Sequence, residues 1–255
     1  MNGIITNSTT AKNRMRRWRV AGDAGVARPA PAAAPKPLDL EKIAKAYSSA
    51  PWWYDLRGCF ILTTTYQATL WSQIRFFGRN IRAKHLEVAV GTGTLLRMTL
   101  WVRALLGRPK AEITGMDYSD MMLSGAERYF AGNPRIRLYR GDVTALPEPD
   151  GAFESVNIAN AFHCFADPAG ALREIRRVLA PGGTLAMNVL LHPRGGWLRR
   201  RVAGVVNAWG IRKGILVSPF HREDVRRLLV SAGFAITTER VGGNCFSVAA
   251  VRREA

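Results

Sequence analysis

Leu86-Glu87-Val88-Ala89-Val90-Gly91-Thr92-Gly93-Thr94 decides the fold. A short apolar run ends in two glycines, and a helically spaced segment follows, so a strand closes here and a helix opens. Gly91 and Gly93 let the chain turn tightly and let a ligand approach the backbone. Parallel sheets bind ligands outside the carboxyl ends of their strands, and this is such an end. A dinucleotide fingerprint needs a third glycine where this chain has Leu96. A phosphate-binding P-loop needs Gly-Lys-Ser/Thr, and none follows. Glu87 is a poor neighbour for phosphate and a good one for an ammonium group.

Outward from this loop the chain alternates. Strands are expected at 85–90, 111–116, 136–140, 153–159, 184–191, 234–241 and 245–251, and helices at 94–106, 119–131, 168–179 and 221–232. Such alternation implies βαβ units and a parallel sheet. Only Gly242-Gly243-Asn244 separates the last two strands, so they form a hairpin and the last strand runs antiparallel. Two further strands end in a carboxylate. Ile113-Thr114-Gly115-Met116-Asp117 places Asp117 24 residues after Gly93, where an acid can accept hydrogen bonds from a ribose diol. Tyr139-Arg140-Gly141-Asp142-Val143 sets Asp142 where it can accept from an exocyclic amine. Alone, either aspartate reads equally well as a cap for the next helix or turn.

Taken in order, these pieces resemble the class I S-adenosylmethionine (SAM)-dependent methyltransferases, in particular the branch of ubiquinone/menaquinone C-methyltransferases and small phospholipid N-methyltransferases. The resemblance rests on Glu87–Gly93, Gly115-Met116-Asp117-Tyr118-Ser119, Gly141-Asp142-Val143, Asn160–Pro168, Leu179-Ala180-Pro181-Gly182-Gly183 and Leu228–Phe234. It implies a single α/β domain: a Rossmann-like, doubly wound, seven-stranded sheet with its last strand antiparallel and an N-terminal helical cap. It also implies SAM as cofactor and S-adenosylhomocysteine as product. Glu87, Gly91 and Gly93 would surround the methionyl group, and Asp117 the ribose. Tyr118 or Met121 would flank the adenine, Asp142 would meet its amine with Val143 beside the ring, and Asn160 would lie near the transferred methyl. Ala89 departs from the family, which has glycine there.

The acceptor side is read from what the cofactor motifs leave over. His163, just past the fourth strand, is a candidate base or pocket residue. Trp52, Trp53 and Tyr54, with Trp71 and Phe76, form a candidate lid, and Trp197 opens a basic segment that supplies a substrate wall. The expected divisions are a basic Ala/Pro-rich tail over 1–37, a helical cap over 38–84 and the SAM-binding domain over 85–255, with 192–219 inserted on the substrate side. The expected acceptor is a small aromatic or amphipathic molecule.

Composition bounds the alternatives. Net charge is +18, of which the tail carries seven bases against one acid. That surplus favours anionic partners such as a membrane surface, an acidic substrate or nucleic acid. A nucleic-acid methyltransferase is disfavoured, because Ala161-Phe162 follow Asn160 where amino-methylating enzymes of that kind carry a Pro-Pro-aromatic run. A non-catalytic SAM-binding protein is the other alternative. Cys59, Cys164 and Cys245 are too scattered for a zinc site or a disulfide framework, and no metal is expected. No span reads as transmembrane; the sparse cysteines fit a reducing cytoplasm, the expected location, and a peripheral contact with an anionic membrane is a further expectation.

Overall fold

Alternating short apolar runs and amphipathic segments give a sheet with helices on both faces. The computed structural model describes residues 69–212, 216 and 219–254. In chain order the elements are α1 (Leu70–Asn80), β1 (Lys84–Val88), α2 (Thr94–Leu105), β2 (Glu112–Asp117), α3 (Asp120–Phe130), β3 (Ile136–Arg140), β4 (Phe153–Ile158), α4 (Pro168–Val178), β5 (Leu179–Leu190), α5 (Trp197–Arg212), α6 (Arg222–Ser231), β6 (Phe234–Gly242) and β7 (Cys245–Arg252), with a 3-10 turn over Phe162–Cys164.

Helix starts follow local chemistry. Thr69 caps α1 by accepting from the Ser72 N–H, and Ser119 caps α3 by accepting from the Met122 N–H. Asp167 caps α4 through the Gly170 N–H, and Pro168 occupies the first helical turn, where its missing donor costs nothing. Helix α2 instead begins at Gly93, which is left-handed and offers no side-chain cap.

The sheet order is β3-β2-β1-β4-β5-β7-β6. The first five strands pair in parallel, and β7 is antiparallel to both β5 and β6. The seven-stranded sheet with an antiparallel last strand is therefore as expected. The position of β7, inserted between β5 and β6, follows from hairpin geometry. A two-residue turn at Gly243-Asn244 brings β7 back beside β6, and its other edge then pairs with β5 over Thr184–Leu190.

Period-two alternation divides the central strands into unlike faces. Leu86, Val88, Val156 and Ile158 point into the main core, where Leu172, Ile175, Val225 and Leu229 from α4 and α6 meet them. The other face of the same strands is polar and buried: His85 and Glu87 on β1 stand in register with Ser155 and Asn157 on β4. Of the expected helical cap only α1 lies within the described residues, and it closes this polar face. Asn80 donates to the Asn157 side chain (3.0 Å) and to the Val156 carbonyl (2.9 Å), and the Arg82 N–H donates to Ser155 Oγ (2.9 Å). Trp71, assigned above to an aromatic lid, is instead 55% exposed on the flank of α1 that faces α2. Gln73, Ile74 and Phe77 form the buried stripe of α1, and helical geometry turns Trp71 away from it. The basic segment forms helix α5 as far as Arg212, with Trp197 and Leu198 exposed and Ala203 and Asn207 buried.

Candidate functional site

The strand order reverses between β1 and β4, so their carboxyl ends flank the topological switch point of the sheet. Among the described residues, the two non-glycine residues with positive φ sit at these two ends: Ala89 (φ 54°) after β1 and Asn160 (φ 55°) after β4. Left-handed backbone at such residues costs about 1–3 kcal/mol and persists only where surroundings hold it.

The loop after β1 is held by β2. The Val90 N–H donates to the Met116 carbonyl (2.9 Å) and the Gly93 N–H to the Val90 carbonyl (3.1 Å). Asp117 accepts from the Gly91 N–H through one oxygen (2.8 Å) and from the Ser119 N–H through the other (2.9 Å). Burial raises the pKa of this carboxyl above the usual range, while the backbone N–H groups of Ser119, Gly91 and Tyr118 pull it down. A Cβ added at Gly91 would meet nothing within 4 Å, so space for a ligand lies open there. One added at Gly93 would strike Phe130 and the backbone of Ala126 on α3. The two glycines thus do different jobs: Gly93 permits close helix packing, and Gly91 borders open space.

Glu87 lies below this loop, buried. Its Oε2 accepts from Asn157 Nδ2 (3.1 Å) and faces His85 Nε2 (3.0 Å), and the other His85 nitrogen faces Ser155 Oγ (2.8 Å). Its Oε1 has no hydrogen bond among the described residues. Farther along the strand ends, Asp142 uses Oδ1 to accept from the Thr144 N–H (2.9 Å) and hydroxyl (2.8 Å) in a tight turn, which leaves Oδ2 for another donor. Val143 is buried beside it, Tyr118 is half-buried with the Arg140 guanidinium 5.6 Å from its ring centre, and Met121 is exposed in the first turn of α3.

The loop after β4 is held by side chains. The Asn160 N–H donates to Asn188 Oδ1 (2.6 Å), and Asn188 Nδ2 returns a bond to Asn160 Oδ1 (2.8 Å). Gln73 of α1 exchanges two more bonds with the Asn160 amide (2.9 and 3.0 Å). Gln73 and Asn188 had no signature in the sequence. The one available signal for Gln73 is a polar side chain beside Ile74 on the apolar stripe of a helix. His163 follows in the 3-10 turn, and burial pushes its pKa down to about 3, so its imidazole is neutral at pH 7.

The structure therefore gathers Glu87, Gly91, Gly93, Asp117, Asp142, Val143, Asn160 and His163 at the carboxyl ends of β1–β4. Trp197, at the start of α5, is 74% exposed. Trp52, Trp53 and Tyr54 lie outside the described residues.

Residues 86–187 match a family described as a methyltransferase domain. The chain is 47% identical over 103 residues to a demethylmenaquinone methyltransferase of Thermus thermophilus, covering 40% of this chain and 44% of that protein. This chain spans less than half the length of the curated relatives it matches. A Haloferax volcanii protein solved with the Trm112 methyltransferase activator has a TM-score of 0.61 at 18% identity, covering 82% of this chain and 98% of its own. A SAM-dependent methyltransferase of Aquifex aeolicus has a TM-score of 0.55 at 19% identity, covering 84% and 99%. These two likenesses carry the fold. The domain match agrees with the methyltransferase resemblance read from the sequence. Among the described residues, no helix is long and apolar enough to cross a membrane.

Proposed function

We propose that this chain transfers a methyl group from SAM to a small, lipophilic, quinone-like acceptor. The observation that carries the reading is the methyltransferase domain match over 86–187, within which three strand ends carry acids and the space beside Gly91 is open. The donor set fits the cofactor. Glu87 Oε1 is free to take the methionyl ammonium, Asp117 lies where it can take the ribose hydroxyls, and Asp142 Oδ2 is free for the adenine amine. Tyr118 or Met121 covers the ring from one side and Val143 from the other. The acceptor class comes from the demethylmenaquinone methyltransferases among the relatives.

SAM supplies an activated methyl: a nucleophilic carbon of the acceptor bonds to it as the S–CH3 bond breaks, and the electron pair stays on sulfur. The chain supplies alignment, which is worth up to roughly 7–11 kcal/mol of barrier. Asn160, fixed by Gln73 and Asn188, borders the methyl. A base adds about 10²–10⁴-fold where the acceptor must lose a proton. Neutral His163 can accept a hydrogen bond from an acceptor hydroxyl, but at a pKa of about 3 it is a weak base. It orients the acceptor more than it deprotonates it.

The test is incubation of the full chain with SAM and a short-chain demethylmenaquinol, reading S-adenosylhomocysteine and the mass of the methylated product. Product formation is expected. Methylation of tRNA or DNA alone would install the nucleic-acid alternative, and tight SAM binding with no product from any acceptor class would favour a non-catalytic SAM-binding protein.

A further inference from the structure

A second cavity, of about 570 Å³, lies at the opposite end of the sheet. Its walls come from α1, α2, Ala83 just before β1, and Pro109-Lys110 just before β2. It is thus at the amino ends of the strands, while the site above occupies the carboxyl ends.

Its chemistry is one-sided. Arg75, Arg79, Arg82, Arg103, Arg108 and Lys110 line it, and among the described residues no acid does. None of the six forms an ion pair among the described residues. Arg103 is anchored by the carbonyls of Gly78 (2.5 Å) and Pro109 (3.1 Å), so its guanidinium is held in place instead of drifting into solvent. Burial, and then the neighbouring Arg108, depress its pKa. Like charges are therefore gathered here with no acidic side chain among the described residues to offset them. Thr99, 2% exposed, also lines the cavity, and its hydroxyl has no hydrogen-bond partner among the described residues. A buried polar atom left unpaired is destabilising, and a ligand oxygen would satisfy it.

The rest of the lining is apolar, including Ile74, Val102, Leu106 and Trp71. Around it the surface continues with Trp101 and Leu105 on α2, 65% and 66% exposed. Basic side chains around an apolar floor, with tryptophan and leucine outside, suit a molecule that joins an anionic head to an apolar body. The volume falls within the range of small-molecule pockets.

We infer that this amino-end cavity binds a phosphate-bearing amphiphile, its phosphate among Arg79, Arg82, Arg103 and the Thr99 hydroxyl and its apolar part against Trp71 and Leu106. The inference is independent of the methyl-transfer reading, because no residue of the cavity belongs to the carboxyl-end site.

Two probes separate the sources of such a ligand. One is cosedimentation of the full chain with vesicles of phosphatidylglycerol and phosphatidylcholine against vesicles of phosphatidylcholine alone. The other is calorimetry with dihexanoyl phosphatidic acid below its micellar concentration. Binding in either arm is expected, the first identifying a bilayer lipid and the second a dispersed amphiphile. An Arg79→Gln/Arg82→Gln variant should bind about 30-fold more weakly, at roughly five-fold per base near an anionic surface. Thr99→Val should weaken binding while keeping side-chain volume, and S-adenosylhomocysteine affinity should be unchanged in both variants. Absence of binding in both arms, or binding that both variants keep in full, would overturn the inference. So would equal binding of inorganic phosphate and the phosphatidic acid, because the apolar wall would then contribute nothing.

Discussion

Replacing Gly91 and Gly93 separately by alanine should produce two different defects. Both residues are left-handed, at φ 58° and 79°, so each alanine carries about 1–2 kcal/mol of backbone cost. Gly91→Ala adds little else to the fold, because its Cβ points into open space. At roughly 2–4 °C per kcal/mol for a chain of this size, its melting temperature should fall by about 2–8 °C. In Gly93→Ala the new Cβ lies 2.9 Å from Phe130 Cε2 and 3.0 Å from both Ala126 Cα and Ala126 Cβ. The phenyl ring can rotate, but the Ala126 Cα is helix backbone, so α2 and α3 must separate. Overpacking of that kind adds about 1–3 kcal/mol, for a total of about 2–5 kcal/mol.

Ligand binding should rank the variants the other way. The methyl of Gly91→Ala fills the space assigned to the methionyl group, and affinity should fall at least about ten-fold, or 1.4 kcal/mol. Gly93→Ala, where it remains folded, should lose less. Urea unfolding without ligand gives the first ranking, and calorimetry with S-adenosylhomocysteine at a temperature where both variants are folded gives the second. Two outcomes refute the reasoning: Gly91→Ala as destabilised as Gly93→Ala, or Gly91→Ala binding like the parent. The second would mean that the open space beside Gly91 is not where the cofactor lies.

His163 should make stability fall in mild acid. Its folded pKa of about 3 lies below the unfolded 6.5, so its contribution is complete above pH 6.5 and is lost as pH falls toward 3. At pH 5 the loss is about 2 kcal/mol, and urea titrations of His163→Gln should show a flatter profile between pH 6.5 and 4. Asp117→Ala should weaken S-adenosylhomocysteine binding by at least ~1.5 kcal/mol in calorimetry, through loss of a charged acceptor; unchanged affinity would leave Asp117 as a brace for Gly91 and Ser119 only. Gln73→Leu, which strands the Asn160 amide, should cost about 1–3 kcal/mol of stability and lower turnover more than cofactor affinity. Combined with Asn160→Gly, which keeps the left-handed backbone, it should be non-additive by more than ~0.5 kcal/mol.

The cofactor half of the site was legible because its chemistry is local. Glu87 to Gly93, Asp117 and Asp142 each sit at a strand end marked by its own apolar run, and strand-end position fixes what a side chain can reach. The expected strands and helices of 85–252 match within one or two residues, except β5, which begins at Leu179 because Phe153 pairs with Leu179 before a shift in register. The acceptor half was not legible in the same way. Gln73, Asn188 and Asn160 meet across 87 and 28 residues of sequence, and an isolated amide has no period or spacing to announce it. The amino-end cavity was hidden for a related reason. Its six bases come from a helix, a connection, a second helix and the turn after it, and in sequence they read only as part of a basic surplus.

The two strained residues show how these halves are kept apart. Ala89 is held through its neighbours: the Val90 N–H donates to the Met116 carbonyl and the Gly91 N–H to the Asp117 carboxylate, both on β2. Asn160 is held by the side chains of Asn188 and of Gln73, and Gln73 belongs to α1. A displacement of α1 therefore removes Gln73 from Asn160 while leaving the Gly91–Asp117 link intact. The Gly91–Asp117 link depends on the sheet, whereas Asn160 depends on how α1 is seated. Helix α1 also presents Arg75 and Arg79 to the amino-end cavity, so one helix carries residues of both sites on different flanks. Anything that fastened α1 against α2 through those arginines would act on Asn160 through Gln73, and on Asp117 not at all.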